Sequence, residues 1–289
     1  MIENDPYNVS IITDLRLMDF HGTRNQISPY AKKECGITST ERIIGGRNAN
    51  LGDYPWQVFL RIQTSNGLKM SCGGSLISDK YVLTAAHCLT AAAVNVVKIT
   101  VTVGSVEITD SNRGKSGLQI VSTGWKVHPQ WENDGIDHDI GIITIPSIEN
   151  QQVTWTPVCL PTKTTEDVEV PCITSGFGKT SDDEGDKSEK RLKFIRTKTL
   201  DNEECKRRSA FMSIYLKPSM ICIGGEGGRE TVCSGDSGGP LVKQESGRFV
   251  LIGITSFGGT ELCETPAPSA FTRVKHYLEY ICNDTGICQ

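Results

Sequence analysis

From Ile43 to about Ile281 the chain is built of short strand-like runs separated by clusters of Gly, Asn, Asp and Ser. Val97-Lys98-Ile99-Thr100-Val101-Thr102-Val103 alternates apolar and polar side chains, the period of a half-buried strand. Trp56 to Ile62, Leu192 to Ile195 and Phe249 to Thr255 read the same way. Helical patterns are few. Asp201-Asn202-Glu203-Glu204 has capping-box spacing ahead of Cys205, and Val274 to Ile281 can turn Leu278 and Ile281 inward together. Many short strands with Gly-rich turns imply an all-β chain, an antiparallel sandwich or barrel. Residues 1 to 42 are polar and irregular, carry one cysteine, Cys35, and are read as a leader rather than a domain. The polar run from Ser181 to Lys190 reads as an exposed loop.

The 289 residues include eleven cysteines. None stands in a CxxC pair, and no HxxxH or HExxH occurs, so the usual spacing of a zinc site is missing. Single cysteines spread along a long chain fit disulfides made in an oxidising compartment. The start, Met1-Ile2-Glu3-Asn4-Asp5, is not a signal sequence. Either the protein is not secreted or a preceding segment is missing from this sequence, and the cysteines favour the second. Asn8 and Asn283 each open an N-x-S/T sequon, compatible with secretion. The net charge of −4 leaves no basic footprint for nucleic acid. No apolar run, such as Phe249-Val250-Leu251-Ile252, is long enough to span a bilayer.

Chemistry concentrates in Cys233-Ser234-Gly235-Asp236-Ser237-Gly238-Gly239-Pro240. The glycines and proline force a sharp turn that presents the Ser237 hydroxyl. A serine hydroxyl is a weak nucleophile unless an imidazole takes its proton and a carboxylate orients that imidazole. Both partners are present, in Thr84-Ala85-Ala86-His87-Cys88 and in Asp139-Ile140-Gly141-Ile142-Ile143. Asp134 and Asp137 lie close by, but the apolar run begins directly after Asp139. Gly235-Asp236-Ser237-Gly238-Gly239 also fits the nucleophile elbow of α/β-hydrolases, and His276 with Glu245, Glu261 or Glu264 supplies that fold's order of Ser, acid, His. Against it, Gly238-Gly239-Pro240 opens a helix poorly, and the alternating helices of an α/β fold are missing.

The stretch from Ile43 to about Ile281 resembles the trypsin–chymotrypsin family of serine proteases. Ile43-Ile44-Gly45-Gly46, Ser71-Cys72-Gly73-Gly74-Ser75-Leu76-Ile77, the His87 and Asp139 segments, the GDSGGP hexapeptide and Ser256-Phe257-Gly258 follow in the family's order. The resemblance implies two antiparallel Greek-key β-barrels with the active site between them and a short C-terminal helix. The first barrel is expected at about 43–158, the second at about 159–273, and the helix and tail at 274–289. It implies Ser237 as nucleophile, His87 as base, Asp139 as orienting acid, and the N–H groups of Gly235 and Ser237 as oxyanion hole. It also implies a precursor cut after Arg42, whose freed Ile43 ammonium pairs with Asp236. By position, Cys72–Cys88, Cys205–Cys222 and Cys233–Cys263 match family disulfides, and Cys35–Cys159 would tether the leader. Cys172 holds a family cysteine position whose partner position is Lys243 here. Cys172, Cys282 and Cys288 stay unassigned, one pair and one free thiol being the simplest outcome.

In that family the residue six before the nucleophile floors the primary pocket; here it is the neutral Thr231. Ser256, Phe257 and Gly258 line the pocket's side and mouth, and the uncharged Ser269 lines its base. An unpaired buried Arg or Lys would cost several kcal/mol, so cleavage after Phe, Tyr, Leu or Met is expected. Glu261 could add a rim charge. A separate Arg-specific protease would then make the cut after Arg42. The expected partners are a protein or peptide substrate, that activating protease and protein inhibitors, with the chain itself a monomer. Ser105 occupies the first ligand position of the loop in which relatives bind calcium, so no metal and no other cofactor is expected. The competing class is a catalytically silent homologue; such proteins generally lose a triad residue, and this chain keeps all three.

Overall fold

The computed structural model describes residues 34–39, 48–90, 94–108, 117–132, 135–179, 191–224, 232–259 and 267–289. The chain divides into Met1–Lys32 and Lys33–Gln289, and everything described below belongs to the second unit. Arg42, Ile43 and the rest of the Ile43-Ile44-Gly45-Gly46 motif lie outside the described residues, as do Asn8, Asp134, Ser181 to Lys190, Thr231, Glu261, Cys263 and Glu264.

The first part comprises β1 (Gln57–Thr64), β2 (Lys69–Leu76), β3 (Tyr81–Thr84), the short helix α1 (Ala86–Leu89), β4 (Val96–Val103), β5 (Leu118–Val121), β6 (Gly124–Val127) and β7 (Gly141–Thr144). Its strands form one antiparallel sheet in the order β5-β4-β1-β2-β3-β7-β6. The two edge strands are one stretch of chain, interrupted only at Ser122-Thr123. The chain therefore bends from one edge of the sheet to the other and curls it into a half-barrel. The alternation read in β4 buries Ile99, Val101 and Val103 and leaves Lys98 exposed. Trp56, Leu60, Ile62, Leu83 and Ile143 fill the same core.

The second part comprises β8 (Pro171–Gly176), β9 (Lys193–Leu200), α2 (Asn202–Arg208), α3 (Ala210–Tyr215), β10 (Met220–Ile223), β11 (Pro240–Glu245), β12 (Arg248–Gly258) and β13 (Ser269–Arg273). These strands close into a barrel, β10-β13-β12-β11-β8-β9. Both parts follow one plan. Three consecutive strands pair in turn, and the fourth returns beside the first, giving 4-1-2-3 and 11-8-9-10, the Greek key. The remaining strands then bridge the fourth to the third. The fold is thus two Greek-key units, one a closed barrel and one a half-barrel.

Asp201 caps α2 by accepting from the backbone N–H groups of Glu203 and Glu204 at 2.8 and 3.4 Å. Ser209 ends α2 and caps α3 through the Met212 N–H. A 3-10 turn, Val274–Tyr277, leads into α4 (Leu278–Thr285), which buries Leu278 and Ile281. Disulfides join Cys35 to Cys159, Cys72 to Cys88, Cys205 to Cys222 and Cys282 to Cys288. Cys233 is also disulfide-bonded, and Cys172 is a buried free thiol.

Candidate active site

His87 sits on α1, a single helical turn that leaves β3 and is pinned to β2 by the Cys72–Cys88 disulfide. Its backbone N–H donates to Oδ1 of Asp139 at 2.9 Å, and its ring Nδ1 meets Oδ2 at 2.8 Å. Asp139 is only 2 % exposed. It enters β7 after His138, whose φ of 56° turns the chain sharply. Two groups from the second barrel complete its environment. The Ser256 hydroxyl on β12 donates to Oδ2 at 2.5 Å, and the Thr272 hydroxyl on β13 donates to the Asp139 carbonyl at 2.6 Å. A residue of the half-barrel is thus fixed by side chains of the closed barrel.

These contacts set the charges. Burial disfavours an ionised Asp139, but the His87 charge and its hydrogen bonds, with the Ser256 hydroxyl, hold the carboxyl below its ordinary range. Burial likewise disfavours a charged His87, yet the Asp139 charge and hydrogen bond outweigh it and raise its pKa above 6.5. With Nδ1–H given to the carboxylate, Nε2 keeps a lone pair. The Cys88 sulfur lies 3.7 Å from that nitrogen.

Ser237 lies in the tight loop between Val232 and β11. The loop is held on both sides: the Gly73 N–H on β2 donates to the Ser237 carbonyl at 2.8 Å, and the Gly238 N–H donates to the Thr255 carbonyl at 2.8 Å. Gly238 has φ of 77°, and a Cβ there would stand 2.1 Å from Thr84 Oγ1 and 2.7 Å from the Gly73 carbonyl oxygen. Only glycine lets the loop approach β2 and β3 so closely. Asp236, Gly238 and Gly239 spend their backbone N–H groups on internal hydrogen bonds. Among the described residues the N–H groups of Gly235 and Ser237 and the Ser237 hydroxyl have no partner. Gly235 has φ of 102°.

The Asp236 carboxylate turns away from Ser237 toward β8. It accepts from the Gly178 N–H at 2.8 Å and the Cys233 N–H at 3.0 Å. A Cβ on Gly178 would come within 2.5 Å of that carboxylate. Burial pushes its pKa up to about 6 against these two hydrogen bonds.

Ser256, Phe257 and Gly258 form the end of β12, and Ser269 opens β13 directly opposite Gly258. Ser269 is buried. Phe257 packs edge-on to Phe211 of α3, and Ile136 shares that cluster. Sequence reasoning did not single out Thr272, Ile136 or Phe211. The Thr272–Asp139 and Phe211–Phe257 contacts join residues far apart in the chain, and no local pattern announces them. Cys72, His87 and Cys88 bring potential metal-ligand atoms together, but both sulfurs are spent in a disulfide. Ser105 bonds the backbone of Glu107 in both directions, and the Glu107 carboxylate pairs with Arg191.

Two Greek-key β sheets with a buried Asp paired to a partly exposed His, and a glycine-bound serine loop at their junction, define the chymotrypsin fold. The family profile described as Trypsin matches residues 43–281, and the chain belongs to the trypsin family of serine proteases. It is 32 % identical over 266 residues to phenoloxidase-activating factor 3 of Holotrichia diomphalia, covering 86 % of this chain and 74 % of that one. It is 31 % identical over 260 residues to CLIP domain-containing serine protease B4 of Anopheles gambiae, covering 86 % and 71 %. The solved structure of HL collagenase superimposes with a TM-score of 0.72 at 30 % identity, over 86 % of this chain and all of that one.

Proposed function

We propose that this chain is a secreted serine endopeptidase, made as a precursor cut after Arg42, that hydrolyses peptide bonds after apolar or aromatic residues. The observation that carries the reading is the pairing of the buried Asp139 with the partly exposed His87, 2.8 Å apart, which leaves the lone pair of Nε2 available to take a proton. Ser237 Oγ attacks the scissile carbonyl carbon as Nε2 takes its proton. The developing oxyanion accepts hydrogen bonds from the Gly235 and Ser237 N–H groups, which the fold leaves unspent. As the C–N bond breaks, His87 returns the proton to the leaving amine, and an acyl group stays on Ser237. Water then repeats the sequence with His87 as base and releases the acid. Asp139 holds the tautomer and stabilises the imidazolium.

Residues 1 to 42 act as leader and activation segment, and 43–289 as the protease domain. The cut after Arg42 frees the Ile43 ammonium to pair with Asp236. The raised pKa of Asp236, a carboxylate with two backbone donors and no cation among the described residues, supports this switch. The Cys35–Cys159 disulfide keeps the severed leader attached. Disulfides at eight cysteines in four pairs support an oxidising, extracellular setting. The neutral Ser269, buried opposite Gly258, supports an uncharged pocket with Thr231 at its floor. One relative's name, phenoloxidase-activating factor, supports a protein substrate.

The test is labelling with a serine-directed phosphonate. The Arg42-cleaved protein reacts, Ser237→Ala does not, and the uncut chain reacts far more slowly. Absence of labelling in the cleaved protein sinks the reading and leaves a binding homologue.

A further inference from the structure

His138, the residue before Asp139, has no part in the chemistry above, yet its ring is clamped. It stacks on His128, which follows β6, with ring centroids 4.8 Å apart and planes 9° from parallel. Tyr277 of the 3-10 turn stands edge-on to both rings, and Tyr280 of α4 edge-on to His128. The Tyr277 hydroxyl lies 3.3 Å from His138 Nδ1, and the Asp137 carboxylate 3.7 Å from Nε2. Asp137 is itself tied to the segment before β10, accepting from Lys217 Nζ and from the Ser219 hydroxyl at 2.9 Å each.

The stack bears directly on the catalytic acid. His138 has φ of 56°, a backbone state uncommon outside glycine that persists where the surroundings enforce it. Its carbonyl accepts from the Ile140 N–H at 2.8 Å, closing a tight turn centred on Asp139. The Ile140 carbonyl accepts in turn from the His128 N–H at 3.0 Å. Both neighbours of Asp139 are thus tied to His128, His138 through its ring and Ile140 through its backbone. A displacement of the stack passes to the carboxylate that orients His87.

A proton on His128 would displace it. His128 Nδ1 accepts the Gln130 N–H at 3.2 Å, so that nitrogen carries no proton as the ring stands. Protonation breaks this hydrogen bond and sets a positive charge against His138. Burial lowers the His128 pKa below 6.5, His138 lowers it further, Asp137 opposes and His276 adds to the lowering. The other charges around the stack are spent: Asp137 on Lys217, Lys126 of β6 on Asp284 of α4, and Asp139 on His87. Tyr277 and Tyr280 stay neutral, because burial pushes both hydroxyls up.

We propose that His138 is a positioning residue for Asp139 and that the His128–His138 stack is a second proton-sensitive element of the site. When His128 takes a proton the rings part, the turn at His138 shifts and Asp139 loses its hold on His87. The inference rests on the protease reading and adds a protonation outside the triad, which shuts the enzyme off in acid more steeply than His87 alone.

Two readouts separate this from a packing role. In the Arg42-cleaved protein, kcat/KM for a peptide amide should fall about tenfold per pH unit where His87 alone titrates, and about a hundredfold per unit once His128 titrates too, down to about pH 5. His128→Phe keeps a ring in the stack with no proton to take, and His128→Gln keeps an acceptor for the Gln130 N–H. Both should stay at about tenfold per unit. The second readout needs no turnover. In the full chain carrying Ser237→Ala, the His87 Cε1–H resonance should move in two steps with pH, the lower in register with His128, and in one step when His128 is replaced. Thermal unfolding at pH 8 and circular dichroism at pH 5 show whether each protein is folded. A single His87 step with His128 present, a lower step that survives both replacements, an acid limb of about tenfold per unit throughout, or unfolding of the parent by pH 5 overturns the proposal. Because the resonance is read without catalysis, its failure leaves the phosphonate result intact, and failure of labelling leaves the resonance result intact.

Discussion

The Asp236 carboxylate accepts the Gly178 N–H at 2.8 Å and lies against a backbone whose missing Cβ makes room for it. Two backbone donors do not compensate its burial, and its pKa rises from 3.8 to about 6. A carboxyl with a folded pKa above its unfolded one opposes folding once both states are ionised. The cost is absent below about pH 3.8, grows between 3.8 and 6, and is complete above 6, where it reaches up to about 3 kcal/mol. In the uncut chain, Asp236→Asn should therefore stabilise more at pH 7.5 than at pH 4. Urea unfolding of the two proteins at both values measures this. Comparing the two pH values cancels the hydrogen bond that Asn forfeits to Cys233. After the cut at Arg42 the sign reverses, because Asn would strand the Ile43 ammonium, and activity should fall with stability. An equal effect of Asp236→Asn at pH 4 and pH 7.5 would contradict the unpaired carboxylate.

The Asp139–His87 pair fixes the pH dependence. Neutral His87 is the working base, so kcat/KM should decline as acid protonates it. Its pKa is raised, so the midpoint should lie above 6.5. Asp139→Asn removes the raising influence and leaves burial, which lowers the value. The acid limb should move below 6.5 while the rate collapses; the best-studied triad of this fold loses about 10⁴-fold for the same change. Ser256→Ala removes one donor from a buried carboxylate and should cost about 1–3 kcal/mol of stability. Its acid limb should stay near the parent's, since Asp139 keeps its charge. A rate independent of pH from 5 to 8 would refute His87 as base.

Cys172 and Lys243 occupy facing positions on β8 and β11, one step beyond the paired Ile173 and Val242. Lys243 spends its ammonium on the Glu166 carbonyl at 2.7 Å and the Glu245 carboxylate at 3.1 Å. Cys172 is buried, and its thiol is pushed up to about 12. Native protein should thus resist thiol reagents at pH 8, and one thiol should react on unfolding. Lys243→Cys should close a disulfide with Cys172 under oxidising conditions. Closing a loop of this length is worth about 4 kcal/mol in the chain-entropy view, less the lost lysine contacts. Mass spectrometry of the pairing and the change in Tm check this. Two free thiols in the folded, oxidised Lys243→Cys variant would show that the two strands do not face as described.

β4 was legible because part of it is wet on one face: Lys98 is exposed and Thr100 half-buried between the buried Ile99 and Val101. Capping by Asp201 was legible for a different reason, being local. Bounds shifted where residues outside the periodic pattern extend the ladder, as at Arg248 and Gly258, the ends of β12. α3 was not legible. Its apolar Phe211, Ile214 and Tyr215 remain substantially exposed, so no one-sided burial pattern marks it. Curling through Ser122-Thr123 and the hold of Thr272 on the Asp139 carbonyl depend on contacts between distant segments. Motif residues announced the serine loop, but not that Gly73 and Gly238 of separate motifs pack against each other.

Pocket preference is the sharpest test of the proposed specificity. Ser269 is buried opposite Gly258 and carries no charge, and Thr231 stands six residues before Ser237. A substrate Arg or Lys entering such a pocket leaves water without a fixed anion to meet it, a loss of several kcal/mol. An apolar side chain gains from the same burial. The cleaved protein should therefore cut amides of Phe, Tyr, Leu and Met at least a hundredfold faster, in kcat/KM, than those of Arg or Lys, since about 2.8 kcal/mol is a hundredfold. Thr231→Asp places a carboxylate at the proposed floor and should reverse the order in part, raising kcat/KM for Arg and lowering it for Phe. The gain with Arg should shrink as acid protonates the new carboxyl. Purified precursor should also convert very slowly unless an Arg-specific protease is added, and Thr231→Asp should speed that conversion. Faster cleavage after Arg than after Phe by the unaltered protein would remove the neutral pocket from the account while leaving the Ser237 chemistry in place.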